Sequence, residues 1–110
     1  MPFLDPDAFS EIHLSPGITI RAAGGERTML SFVEFEPHSE VGAHRHPHEQ
    51  MGTVLAGEFE LCIAGECRVV RQGDCYLVPS NVMHSAKAGA APARALDVFG
   101  PPREDYRKQA

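Results

Sequence analysis

The chain lacks an excess of basic residues: ten Lys and Arg stand against fifteen Asp and Glu, for a formal charge of -5 and a pI near 5.6. Phosphate backbones call for a basic stripe and the cations here are scattered, so nucleic acid is not an expected partner. Also missing is any apolar run approaching the roughly 20 residues of a membrane-spanning helix. The opening MPFLDPDAF has neither the positive n-region nor the long apolar stretch of a secretory signal. The expectation is a cytoplasmic protein with no membrane role. Cysteine is scarce. Cys62, Cys67 and Cys75 are odd in number and show no C-x-x-C spacing, which argues against a disulfide framework and a zinc knuckle and predicts buried strand thiols. Neither an internal repeat nor a helix-turn-helix is legible, which argues against a one-chain transcription regulator.

What is present is an ordinary globular composition, 43% hydrophobic and 23% charged over 110 residues. That length supports one hydrophobic core, so residues 1–110 are expected to form a single domain. Asp5-Pro6 offers a helix cap followed by a proline at the first helical position, predicting one short N-terminal helix over residues 6–13. From Ile18 onward, short Val/Ile/Leu/Phe/Thr-rich stretches alternate with Gly and Pro turns. They predict strands at 18–22, 28–36, 41–46, 50–56, 58–64, 67–71, 75–78, 83–87 and 94–99. This rhythm is that of an all-β antiparallel barrel or sandwich. Closing such strands into a double-sheet jelly roll removes exposed edges and leaves an interior wide enough for one small ligand.

The stretch 42-GAHRHPHEQMGTVLAG-57 carries the chemistry. His44 and His46 lie two apart, so on a strand they share a face and can converge on one ion. Gln50 keeps their parity, and Pro47, which cannot donate to a ladder, favours a break that swings Gln50 toward them. His84 follows 73-GDCYLVP-79 and begins a later strand able to face the first pair across the barrel. Three imidazoles suit one divalent transition ion, such as zinc, nickel, manganese or iron, without selecting among them. Glu49, the rival of Gln50, has the opposite parity. His48 lies in the turn just after Pro47, and His13 and His38 lack partners and read as surface residues.

The pattern of His44, His46, Gln50 and Gly57, then fifteen residues, then Gly73, Asp74, Pro79 and His84 resembles the two motifs of the cupin superfamily. The resemblance implies the double-stranded β-helix barrel of that family, and a homodimer formed through a sheet. Gln50 stands where Glu is usual, and His38 and Asn81 stand where Gly is common. Asn tolerates positive φ. HRHPHEQMGTVLAGEFEL together with the tail 96-LDVFGPPREDY-106 is similar to the KdgF-type pectin-degradation cupins, which linearise 4,5-unsaturated uronates and use Gln as a metal ligand. In that family an Asp, a Phe and an Arg of the matching tail line the site, which implies those roles for Asp97, Phe99 and Arg103.

The residues themselves fit that implication. Asp97 and Phe99 share one face of the last strand. Arg103 follows the stiff Pro101-Pro102 pair and could fold over the barrel mouth, its planar fork suited to a carboxylate. Gly52, on the face of Gln50, would leave space beside the ion. Three imidazoles and a neutral amide leave a divalent charge uncompensated, so such a site should attract anions, and the resemblance implies that the anion is a small sugar acid. The alternatives are a non-enzymatic binding or sensor protein that holds its ligand through the metal, and a dioxygenase.

Overall fold

A computed structural model describes residues 2–107. Its strands are β1 (Ser10–Ser15), β2 (Ile18–Gly24), β3 (Met29–Phe35), β4 (Glu40–His44), β5 (Glu49–Ala56), β6 (Glu58–Ile63), β7 (Glu66–Arg71), β8 (Cys75–Val78), β9 (His84–Ala88) and β10 (Ala93–Gly100). They form a six-stranded sheet in the order β1-β2-β3-β10-β5-β8 and a four-stranded sheet in the order β4-β9-β6-β7. Paired strands run antiparallel, giving the expected double-sheet jelly roll.

Alternation of burial explains why these segments are strands. Ile18, Ile20 and Ala22 on β2, Met29, Ser31, Val33 and Phe35 on β3, and Ala93, Ala95, Asp97 and Phe99 on β10 are buried, with more exposed residues between them. A sheet with one apolar face must cover it, and each fully buried Val, Leu, Ile or Phe contributes about 1.5–3 kcal/mol. The faces meet where Phe35 of β3 stacks on Phe59 of β6, ring centroids 4.7 Å apart. No helix among the described residues is long and apolar enough to cross a membrane.

Two expectations are corrected. The N-terminal helix is a single 3-10 turn, Pro6–Ala8, in which the Asp5 carboxylate accepts from the Asp7 N–H. The start signal at Asp5-Pro6 was real, but from Ser10 the chain alternates polar and apolar residues and pairs with β2 from Ser10↔Ala22 to Ser15↔Ile18. Sheet pairing ends the helical turn. The cysteines are the second correction: Cys62 and Cys67 form a disulfide and Cys75 is exposed. Their spacing matches no metal or redox motif, but a hairpin with the two-residue loop Ala64-Gly65 sets residues five apart directly opposite. One step beyond the closing pair Ile63↔Glu66 comes a pair without mutual hydrogen bonds, where strands approach most closely. The Cα atoms of Cys62 and Cys67 are 4.0 Å apart.

That loop has φ of 51° at Ala64 and 83° at Gly65, the left-handed pair of a type I′ turn. Alanine is strained there, whereas asparagine tolerates the conformation. Ala64→Asn should therefore stabilise the protein by about 0.5–1 kcal/mol. Thermal unfolding should show a midpoint a few degrees higher, and an unchanged or lower midpoint would count against this turn in solution.

Candidate metal centre

Four candidate donors reach one end of the barrel by different routes. On β4, the pairing with β9 runs Glu40↔Lys87 and Val41↔Ala86, then shifts by one residue so that His44 stands opposite His84. The irregularity lies at Gly42-Ala43, and it places the two imidazoles 4.2 Å apart by ring centroids. His46 is not on the strand with His44, as the spacing had implied. β4 ends at His44, and His46 lies in the crossing segment 45–48 around Pro47, its carbonyl accepting the Asn81 N–H at 2.8 Å. Asn81 has φ of 63°, the conformation for which asparagine is suited. Gln50 then enters on β5, in the other sheet.

The three imidazoles converge: His44, His46 and His84 offer nitrogens that all lie within 4.8 Å of one another. Each Nδ1 faces a backbone carbonyl two residues away, Gly42 O at 2.8 Å, His48 O at 3.0 Å and Val82 O at 2.9 Å respectively. A carbonyl only accepts, so each Nδ1 carries a proton and Nε2 is the nitrogen left to ligate, the hydrogen-bonding pattern usual for metal-binding histidines. Burial, then the charges of Arg103 and His84, hold the His46 pKa down to about 4, and burial likewise lowers that of His84. Both are thus neutral at pH 7 and ready to ligate.

Gln50 supplies the test of fit. Its Oε1 lies 3.2 Å from His46 Nε2, while its side chain also neighbours Asp97 and favours the charged form of that carboxyl. A carboxylate accepts, so the amide NH₂ must face Asp97 and the amide oxygen must face His46. Two lone pairs then confront each other, an arrangement that a shared cation resolves. These residues suit a divalent ion, which His44, His46, His84 and Gln50 could hold together.

Behind the donors lies a row running across the six-stranded sheet. Asp97 of β10 pairs with Ser31 of β3 on one side and Gly52 of β5 on the other, and Gly52 pairs with Tyr76 of β8. The Tyr76 hydroxyl donates to Asp97 Oδ1 at 2.6 Å. It reaches across Gly52, where a Cβ would collide with both the Asp97 carboxylate and the Tyr76 ring. The space expected beside the ion is therefore filled by Tyr76, a residue the sequence did not single out. Only the pairing of β8 with β5, invisible in a single chain, exposes its role. Burial raises the Asp97 pKa to about 6, against the lowering effect of Tyr76 and Gln50. Burial and the neighbouring Asp97 also push the Tyr76 hydroxyl well up, so it remains a donor.

Phe99 and Arg103 complete the pocket. Phe99 is buried edge-on to His46, ring centroids 5.6 Å apart. The Arg103 guanidinium lies 4.1 Å from the Tyr106 ring centroid and 5.3 Å from that of Phe99. Its fork is already engaged: Nε and Nη2 donate to Asp105 Oδ1 and Oδ2 at 3.2 and 2.8 Å. Burial would raise the Asp105 carboxyl, but the bond and charge of Arg103 hold it below the usual range. His44, Gln50, His84, Asp97, Phe99 and Arg103 line one cavity of about 520 Å³, counting its open mouth. His13, His38 and Glu49 are exposed, and His48 lies beside His46 and Phe99 but outside the converging trio.

Residues 31–99 match the family described as Cupin domain. The chain is 34% identical over 79 residues to the pectin degradation protein KdgF of Dickeya dadantii, covering 71% of this chain and 72% of that protein. Among solved structures, KdgF from Halomonas sp. superposes with a TM-score of 0.85 at 30% identity, covering 96% of this chain and 97% of that one. An RmlC-like cupin from Shewanella frigidimarina does so with a TM-score of 0.86 at 26% identity, covering 96% of both chains.

Replacing His44, His46 and His84 together with alanine should reduce bound metal to background by elemental analysis. Stoichiometric metal in that variant would refute the assignment, and a retained β-rich circular dichroism spectrum would show that the barrel itself survived. Gln50→Glu should set a second carboxylate against Asp97. In chelator-treated protein the repulsion raises the folded-state pKa of the pair. The destabilisation should then be full at pH 8, about 1–3 kcal/mol for a shift of one to two units, and should shrink toward pH 5 as the pair gains a proton. Equal unfolding midpoints for variant and wild type at pH 8 would refute the Gln50–Asp97 contact.

Proposed function

We propose, from the premise that this chain belongs to the cupin domain family, that it is a metal-dependent isomerase that linearises 4,5-unsaturated uronates released from pectin or alginate. The carrying observation is a buried carboxyl, Asp97, that accepts from Tyr76 in the same pocket as Arg103 and two of the three converging imidazoles, His44 and His84. The likeness to a pectin degradation protein supports the substrate class.

The closed form of such a uronate is a hemiacetal whose ring oxygen joins C1 to the enol carbon C5. Opening it removes the proton of the C1 hydroxyl, forms the C1 carbonyl and breaks the bond from C1 to the ring oxygen. The electron pair stays on that oxygen as an enolate conjugated with the carboxylate. Protonation at C4 then yields the C5 ketone. No atom is gained or lost and no oxidant is needed. One proton leaves an oxygen and one arrives at a carbon, so a single acid–base group can serve both steps.

Asp97 is that group. Tyr76 fixes the carboxyl by donating to it, and the closed apolar walls around Phe99 keep bulk water from competing for the proton. Such proton transfer typically contributes on the order of 10²–10⁴ in rate. Arg103, braced by Asp105 and the two aromatic rings, retains its Nη1 side for the uronate carboxylate. A divalent ion held by His44, His46, Gln50 and His84 would supply Lewis-acid polarisation of the substrate oxygens.

Metal-loaded wild type should consume the conjugated double bond of an unsaturated uronate, followed as loss of its ultraviolet absorbance. Asp97→Asn should lower kcat by about 10²–10⁴ with KM little changed. Arg103→Lys should raise KM roughly tenfold, for a lost charged hydrogen bond, at unchanged metal content. Wild type inert with each of zinc, nickel, manganese and iron would refute the reaction.

A further inference from the structure

We propose that Ser31 is a substrate-binding residue, its hydroxyl hydrogen-bonding a hydroxyl group of the sugar acid; this rests on the uronate reading and extends it to the floor of the pocket. Ser31 is 0% exposed, at the middle of β3, with Ala22 and Asp97 as its partners on the adjacent strands. Its parity is that of Met29 and Val33, so its side chain belongs to the inner face, and it lines the same cavity as Asp97 and Gln50. Its position inside a strand paired on both sides excludes a capping or turn role. Yet its Oγ has no hydrogen-bond partner among the described residues.

A hydroxyl removed from water and left unmatched costs on the order of 1–3 kcal/mol, which alanine or valine at this position would avoid. Its neighbours do not satisfy it: the Asp97 carboxyl beside it accepts from Tyr76, and no bond joins it to the Ser31 hydroxyl. The partner must then come from the cavity, and its chemistry is constrained. An anionic oxygen would meet the Asp97 carboxylate next to Ser31 and be repelled, while Arg103 provides for the carboxylate elsewhere in the pocket. What remains is a neutral group able both to donate and to accept, as an alcohol of the sugar does. Ser31 thus selects for a hydroxylated carbon at the end of the substrate buried beside Asp97.

The test compares Ser31→Ala with wild type as metal-loaded, full-length protein, by steady-state kinetics on a 4,5-unsaturated galacturonate and by thermal unfolding. The expected result is a KM about tenfold higher, for one lost hydrogen bond, with the loss falling on KM rather than kcat. The unfolding midpoint should be equal to or above that of wild type, because an unmatched polar group has been removed. A purely structural serine would do the reverse, lowering the midpoint and leaving KM unmoved, and that outcome overturns the inference. So does a loss confined to kcat. Active wild type with an unaffected variant defeats the role of Ser31 alone, whereas inert wild type defeats the uronate reading on which it rests.

Discussion

The side-chain amide of Gln50 faces two groups with opposite demands. Asp97 accepts hydrogen bonds and requires the amide nitrogen; that choice turns the amide oxygen onto His46 Nε2, whose lone pair is free because Nδ1 donates to a backbone carbonyl. A glutamate here would set one carboxylate against another, and an apolar residue would strip Asp97 of a donor in a site where burial already raises its pKa. The amide thus couples the donor cluster to the buried Asp97 carboxyl through one link. The neutral residue where the family pattern usually has Glu follows from the buried aspartate beside it.

Around that link the barrel divides its labour between the two sheets. His44 and His84 come from the four-stranded sheet, Gln50 and Asp97 from the six-stranded sheet, and His46 from the segment crossing between them. A site assembled this way depends on the two sheets being held in one relation, which the stacked Phe35 and Phe59 and the shared apolar core provide. Its precision depends on two local irregularities. The one-residue shift at Gly42-Ala43 sets His44 opposite His84, since without it the side-chain parity would place Ala43 there. The missing side chain at Gly52 lets Tyr76 reach over one strand to the carboxylate on the next.

The electrostatics of the pocket are graded. At one side lie His46 and His84, kept neutral by burial, and by them Arg103, whose charge is partly answered by Asp105 and spread over two aromatic rings. Deeper lies one carboxyl with donors on it, and next to it the unmatched hydroxyl of Ser31. The sugar acid proposed as substrate has this same polarity, an anionic end and a hydroxylated end.

Much of this was legible in the residues themselves. Periodicity located strands because side chains alternate across a sheet, and the same alternation set Asp97 and Phe99 on one face of β10. His44, His46, His84 and Gln50 stood out because donor-bearing side chains at strand spacing have few structural uses, whereas Asp97, Phe99 and Arg103 were reached through the resemblance of the tail to one group of cupins. What no single chain displays is pairing. Nothing local to Ser10–Ser15 distinguishes the tail of a short helix from an edge strand until β2 lies beside it. Nothing in Cys62 and Cys67 signals a disulfide until a two-residue turn sets them opposite. Tyr76 and Ser31 look like ordinary strand residues until register aligns them with Asp97 from both sides. Sequence determined the alternation of side chains along most strands, a property of the local backbone; tertiary structure decided where strands end and which faces meet, because register is set by turns, bulges and packing between strands far apart in the chain.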